Sequence, residues 1–124
     1  MNGRARGTAI ALCALAVPAA PARALPAPVP HQVVTVAARF VVSEVTVFRG
    51  DTLTLTNADP TLSHDLVSRN FAGGLRIFGS PPAGPGERVE VARVATLAPG
   101  VYPFYCSLHE SMIGNLRVQT APAR

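Results

Sequence analysis

The sequence predicts an all-β fold: two antiparallel sheets packed as a sandwich, built from seven or eight short strands. Three observations carry that expectation. Twelve Pro and ten Gly in 124 residues break long helices and favour short extended segments. Apolar residues recur with period two, the spacing of a strand with one face buried. Turn residues separate the alternating segments at short intervals, as in sandwiches. No segment shows an amphipathic helical period, and no internal repeat is present.

The strands follow in order. Val34, Val36 and Ala38 share one face of a first extended segment, and Val45 and Val47 share one face of the next. Thr52-Leu53-Thr54-Leu55-Thr56 is the clearest strand, with Leu on one side and Thr on the other. Arg49-Gly50-Asp51 turns into it and Asn57-Ala58-Asp59-Pro60 turns out of it. Leu62 to Ser68 reads as a further short strand carrying His64. Asn70 to Gly86 is rich in Gly and Pro and reads as an irregular surface excursion. Arg88 to Val91 alternates again, then slips at Ala92-Arg93, where a bulge is expected. Pro99-Gly100 turns into Val101 to Cys106, and Leu116 to Gln119 closes the domain.

Length allows one domain, and hydrophobic residues make up 48% of the chain, enough for one small core. Residues 1–24 read as a secretory signal. Arg4 and Arg6 give a positive start, Thr8 to Val17 an apolar run, and Ala22-Arg23-Ala24 the small residues before cleavage. The run is too short to cross a membrane, which needs about 20 residues. Leu12 before Cys13 suits a lipid-attachment motif poorly, so cleavage is favoured over a retained anchor. An Ala/Pro linker over 25–32, a domain over 33–119 and a tail over 120–124 complete the expected organisation.

Removing the signal leaves eight Arg against seven Asp and Glu. That near-neutral domain lacks the basic cluster of a nucleic-acid binder. It also leaves Cys106 as the lone cysteine, unable to form an internal disulfide in an oxidising compartment. Such a cysteine is buried and inert, paired with another molecule, or bound to something.

Cys106-Ser107-Leu108-His109-Glu110-Ser111-Met112 offers the third option. A thiolate, an imidazole and a thioether fall within seven residues at the end of a strand. Fully extended, Cys106 and His109 would lie about 10 Å apart, whereas ligands of one metal lie about 3–4 Å apart, given bonds of roughly 2.0–2.3 Å. The loop must therefore curl, with Gly114 available to help it turn. His64 is the natural fourth donor. Two imidazoles and a thiolate with a weak axial Met match a blue copper electron-transfer site; structural zinc has little use for a thioether.

Tyr105-Cys106-x-x-His109-x-x-Met112-x-Gly114, preceded by Pro99-Gly100-Val101-Tyr102, resembles the ligand loop of the plastocyanin-like cupredoxins, at the length found in amicyanins. Val47-x-x-Gly50-Asp51-x-Leu53-x-Leu55-x-Asn57 followed by Ser63-His64-Asp65 is similar to the stretch that delivers the family's first His ligand. The resemblance covers residues 33–119. It implies a Greek-key sandwich that holds one copper ion, cycling between Cu(I) and Cu(II), and carries single electrons. Two positions depart from the family. Glu110 stands where Pro is common. Asp65 stands where Asn commonly ties the two ligand loops together, and Asp can accept those hydrogen bonds but not donate an amide proton.

The expected partners are a redox donor and acceptor, docking transiently through an apolar contact around His109. Leu108 and Ile113 are candidates for its rim, extended by the Phe71 to Gly86 excursion, and the chain is expected to act as a monomer. Tyr105, covalently next to Cys106, is a candidate second port. Tyr102 and Phe104 share the face of Cys106 and belong to the core. His31 lies outside the motif and is expected to be a surface residue. An enzyme is disfavoured, because only His31 would remain for a second copper centre. A copper chaperone calls for more exchangeable Met and His than the chain offers. A periplasmic or extracellular location follows from the signal, and a copper-bearing subunit of a larger complex is the remaining alternative.

Overall fold

A computed structural model of the chain describes residues 3, 7–20 and 26–121. Arg4, Arg6 and Ala22-Arg23-Ala24, on which the signal reading depends, lie outside the described residues, as does the tail beyond 121. Residues 7–20 carry no regular secondary structure. Among the described residues no helix is long and apolar enough to cross a membrane.

The described residues form ten strands in chain order: β1 (Pro30–Val36), β2 (Arg39–Phe40), β3 (Glu44–Phe48), β4 (Thr52–Asn57), β5 (Val67–Ser68), β6 (Phe71–Ala72), β7 (Leu75–Arg76), β8 (Arg88–Glu90), β9 (Gly100–Cys106) and β10 (His109–Gln119). One sheet has the order β2-β1-β4-β8, the other β3-β10-β9-β5, and β6-β7 is a small separate hairpin. Most pairings are antiparallel, but each large sheet contains one parallel pair, β1 with β4 and β3 with β10. Strands distant in sequence thus become neighbours, as in a Greek key.

The core lies between the sheets. Leu53 and Leu55 of β4 face Leu116 and Val118 of β10 and Val45 and Val47 of β3 in one apolar cluster. Each fully buried Leu or Phe contributes roughly 1.5–3 kcal/mol. Phe104 meets the edge of Phe40 at 5.1 Å between ring centroids.

Several elements differ from the sequence expectation. In β1 the inward residues are Val33 and Thr35, both essentially inaccessible, while Val36 faces solvent. Thr35 is kept inside by donating its hydroxyl hydrogen to Asn57 Oδ1 at 3.1 Å, which removes the cost of burying it. β1 also starts at Pro30, ahead of the expected domain boundary, and His31 is not a free surface residue. Its Nε2 lies 2.8 Å from Asp51 Oδ2, and the Asp51 carboxylate also accepts from the backbone N–H groups of Val29 and Phe48. The slip at Ala92-Arg93 is a left-handed Arg93, φ 70°, opening a short 3-10 turn over Val94–Thr96. Gly114 does not turn the chain. A Cβ there would run into the Phe104 ring and to 2.5 Å from the Ser43 carbonyl oxygen, so glycine lets β9 and β3 approach β10 closely.

Candidate metal centre

Three connections converge at one end of the sandwich. His64 follows the turn after β4; it lies in no strand, since only Val67 and Ser68 of the expected segment pair as one. A single bridge to Ala83 holds it instead, with N–H···O contacts of 3.0 and 2.8 Å between the two backbones. The Gly/Pro-rich excursion therefore braces the first ligand loop. Cys106 ends β9 and His109 begins β10, and the two are paired across a two-residue turn. The β9–β10 register then shifts between His109 and Ile113. This irregularity absorbs extra residues on β10 and returns Met112 to the interior, where it is buried in the same apolar cluster as Cys106.

His64, Cys106 and His109 present one donor atom each, all within 4.8 Å of one another. Both imidazoles turn Nδ1 toward the sulfur, at 3.9 Å for His64 and 3.8 Å for His109. Those separations suit donors bound to one ion at 2.0–2.3 Å. Cys106 is wholly buried, and burial pushes its thiol above the ordinary value, partly offset by hydrogen bonds from backbone N–H groups, that of Asp65 foremost. The Asp65 N–H lies 3.4 Å from the sulfur.

Asp65 fastens the two loops to each other. Its Oδ1 accepts the Ser107 N–H at 2.6 Å, and its Oδ2 accepts the Ser107 hydroxyl. Both partners are donors, so the carboxylate satisfies the contact without an amide proton. The difference between Asp and Asn at this position is absorbed by Ser107.

The lateral candidates separate. Leu108 is 49% exposed beside His109. Ile113 is also exposed, on the outer sheet face. It pairs with Tyr105 across β9–β10 and lines a shallow groove with Arg69, Pro103 and Asn115 on the outer sheet face. Strand alternation sends it sideways, because its neighbours Met112 and Gly114 both point inward. Phe71 pairs with Arg76, whose guanidinium stacks on its ring. Tyr105 is enclosed by cations. Arg69 lies 4.3 Å over its ring, and Arg76 Nη2 donates to its hydroxyl oxygen at 2.8 Å. Glu110 is solvent-exposed.

Asp59 is the residue that sequence reasoning missed. Its Oδ2 lies 3.1 Å from His64 Nε2, with the His64 side chain fully buried and that of Asp59 nearly so. Hydrogen bonds, from His64 first and then from the Thr61 and Leu62 backbone, hold this carboxyl far below the usual range despite its burial. In the sequence Asp59 is indistinguishable from an ordinary turn aspartate; only its place five residues before a candidate ligand could have pointed to it.

No family model matches the chain, and no curated protein matches it. Solved structures do. A purple cupredoxin from Nitrosopumilus maritimus is 30% identical, with 71% of this chain aligned to 98% of that one at a TM-score of 0.55. A reduced tryptophan-to-tyrosine variant of amicyanin aligns over 79% of this chain and 88% of its own, at 19% identity and a TM-score of 0.61. An oxidised methionine-to-leucine variant of amicyanin covers 71% and 80%, at 19% identity and a TM-score of 0.60. The amicyanin likenesses speak to the fold.

Proposed function

The chain belongs to the cupredoxins, and on that premise we propose that it carries single electrons between redox partners, using one copper ion held by His64, Cys106, His109 and Met112. The observation that carries this reading is the convergence of two imidazole Nδ1 atoms on one buried sulfur. Bound copper supplies a Cu(II)/Cu(I) couple, and two His with one Cys, backed by a weak thioether, is the donor set suited to both oxidation states. The protein's part is to keep those donors still. Asp65 clasps the first loop to the second, Ala83 braces His64, and burial of Cys106 keeps water from the sulfur. Small movement on electron transfer means little reorganisation to slow it.

Electrons enter and leave through the His109 edge, next to exposed Leu108. A small apolar contact docks briefly and releases quickly, in keeping with redox encounters that bury under ~1,200 Å². A carrier is favoured over an enzyme because the third histidine, His31, is engaged by Asp51. His31 pairs with Leu53, four residues before Asn57 ends β4, so its backbone lies about 13 Å short of the His64 end by strand rise. Copper handling is the second class of function. It is less favoured because the donors are mostly buried and the chain holds only two Met in all. Residues 1–24 direct export to the periplasm or beyond, and the working domain is the one expected over residues 33–119, extended at its start by the Pro30 end of β1.

The test is to load the purified chain with Cu(II) and record optical and EPR spectra. A thiolate-to-copper band is expected, with reversible one-electron reduction. A colourless product would overturn the reading. Slow reoxidation with ready loss of copper to a chelator would favour copper handling instead.

A further inference from the structure

Asp59 carries more than a turn. Every group that approaches its carboxylate from the backbone is an obligate donor. Oδ1 receives the N–H of Thr61 and of Leu62, each at 3.1 Å. Oδ2 receives the N–H of Ala38 at 3.3 Å, from a turn in which Ala37 and Ala38 both hold positive φ. A backbone amide cannot reverse its role. The Thr61 hydroxyl also points at Oδ1, at 3.5 Å. A carboxylate surrounded by donors is ionised and acceptor-only, so its last neighbour, His64 Nε2 at 3.1 Å, pairs with it as a donor.

We propose that Asp59 is a positioning residue for the copper site: it fixes the His64 proton on Nε2, leaves Nδ1 free to bind copper, and lowers the reduction potential by placing a buried carboxylate against that ligand. The inference rests on the copper reading above and deepens it. The chain of contacts runs from Asp59 Oδ2 to His64 Nε2, across the ring to Nδ1, and on to the sulfur 3.9 Å away. A carboxylate behind an imidazole raises its basicity and orients the ring. Greater basicity and negative charge favour the more highly charged ion, Cu(II), over Cu(I). Among the described residues no carboxylate hydrogen-bonds the His109 ring, whose partner is the Cys106 sulfur, so the two imidazoles are electronically unequal.

Asp59→Asn tests the charge and the acceptor pattern together. An amide has one acceptor atom, so its NH2 group must face either the Thr61 and Leu62 amides or the His64 and Ala38 donors. Asp59→Ala removes both oxygens. Thr35→Val is the control. It deletes the hydroxyl that bonds Asn57 at 3.1 Å, disturbing the same corner of the core without touching the Asp59 carboxylate.

The full chain is studied in two ways. Nitrogen-15 NMR of the metal-free protein and of its Cu(I) form should find the His64 proton on Nε2, exchanging slowly with solvent. Copper-loaded Asp59→Asn should keep a thiolate-to-copper band but bind Cu(II) roughly 10–100-fold more weakly, with Cu(I) affected less. Each tenfold difference between the two ions raises the one-electron potential by about 59 mV. Thr35→Val should lose stability and leave the potential where it was. Finding the proton on Nδ1 in the folded metal-free chain overturns the inference, even if no Asp59 variant folds. So does an Asp59→Asn protein with unchanged Cu(II) affinity and potential, or a Thr35→Val protein whose potential rises as far. Failure of the copper reading looks different: the parent chain itself would lack the thiolate-to-copper band while the proton still sat on Nε2.

Discussion

The two histidines of the site stand in opposite surroundings. His64 is inaccessible to solvent. Its backbone is paired with Ala83, its ring with Asp59, and its neighbour Asp65 with Ser107. His109 is only partly buried, at the start of β10 just past the two-residue turn, between exposed Leu108 and Glu110. The rings nevertheless lie 4.8 Å apart between centroids. One side of the site is built to hold its geometry and the other to be reached, so rigidity and access are divided between two ligands of the same kind.

The largest expected effect comes from removing each ligand in turn. Cys106→Ser should abolish the visible band, since the sulfur is common to both sides and an oxygen donor lacks its softness. The histidines should then differ. His109→Gly opens a gap toward solvent that added imidazole can enter, restoring colour. His64→Gly leaves a gap in the core beneath Asp59, which added imidazole reaches poorly. It should also cost roughly 1–3 kcal/mol, because a buried acceptor loses its partner. Titrating imidazole into both variants and reading the absorption spectrum separates them. Equal rescue would erase the distinction between a held and a reachable ligand.

The clasp between the two sides comes next. Asp65→Ala unties Ser107, whose N–H and hydroxyl both donate to that carboxylate. Two hydrogen bonds to a charged group are lost, each worth about 1.5–3 kcal/mol, although water can replace part of this at the exposed Ser107. Chemical denaturation of the metal-free chain should show the loss, and copper should dissociate faster. Asp65→Asn should lie between the two, since its single acceptor can serve only one Ser107 donor well.

A smaller effect is expected at the far end of β4, where His31 and Asp51 form the other His–Asp contact, this one only partly buried. Burial alone would raise the Asp51 carboxyl, but the hydrogen bonds from Val29, His31 and Phe48 outweigh it and hold it below the ordinary carboxylate value. A carboxyl lowered in the folded state contributes stability that is present above its unfolded value and lost as pH falls through the folded one. Asp51→Asn should therefore be less stable than the parent at neutral pH, with the gap narrowing in acid below about pH 4. Melting curves across that range check the sign. The copper spectrum should not follow, which keeps the two His–Asp contacts functionally distinct.

How much of this was legible in the sequence depended on whether a property was local. The period-two strands, the ligand loop and the pairing of His64 with it could be read because each rests on spacing or on chemically rare residues. β1 misled because Thr35 is polar: the apolar-looking face of Val34 and Val36 is turned out, and Thr35 is turned in by a partner 22 positions away. Asp59 was hidden for the same reason, since its role comes from Ala38, Thr61, Leu62 and His64 meeting only after folding. Ile113 is close to His109 in sequence, but only the register shift before it and the inward turn of Met112 and Gly114 decide which face it takes.

The smallest expected effect concerns that outer face and decides which side of the site passes electrons. Tyr105 is bonded through the backbone to Cys106, so it offers a short covalent path. Its ring, however, is covered by Arg69, and its hydroxyl is engaged by Arg76. A partner docking there would meet two guanidinium groups before the ring, whereas Leu108 meets it without a charge to displace. Leu108→Glu should therefore slow transfer to a redox partner while preserving the copper spectrum. Tyr105→Leu should slow it less and cost roughly 0.5–1 kcal/mol of stability through the lost cation–π contact. Ile113→Glu, beside Arg69, should leave the rate nearly unchanged. With a nearly neutral domain, long-range steering is weak and the rates should depend little on salt. Stopped-flow measurements of the three variants against ionic strength provide the check. A steep salt dependence with Tyr105→Leu the slowest would place the port on the arginine-flanked face, and the division between a held ligand and a reachable one would no longer describe how the electron leaves.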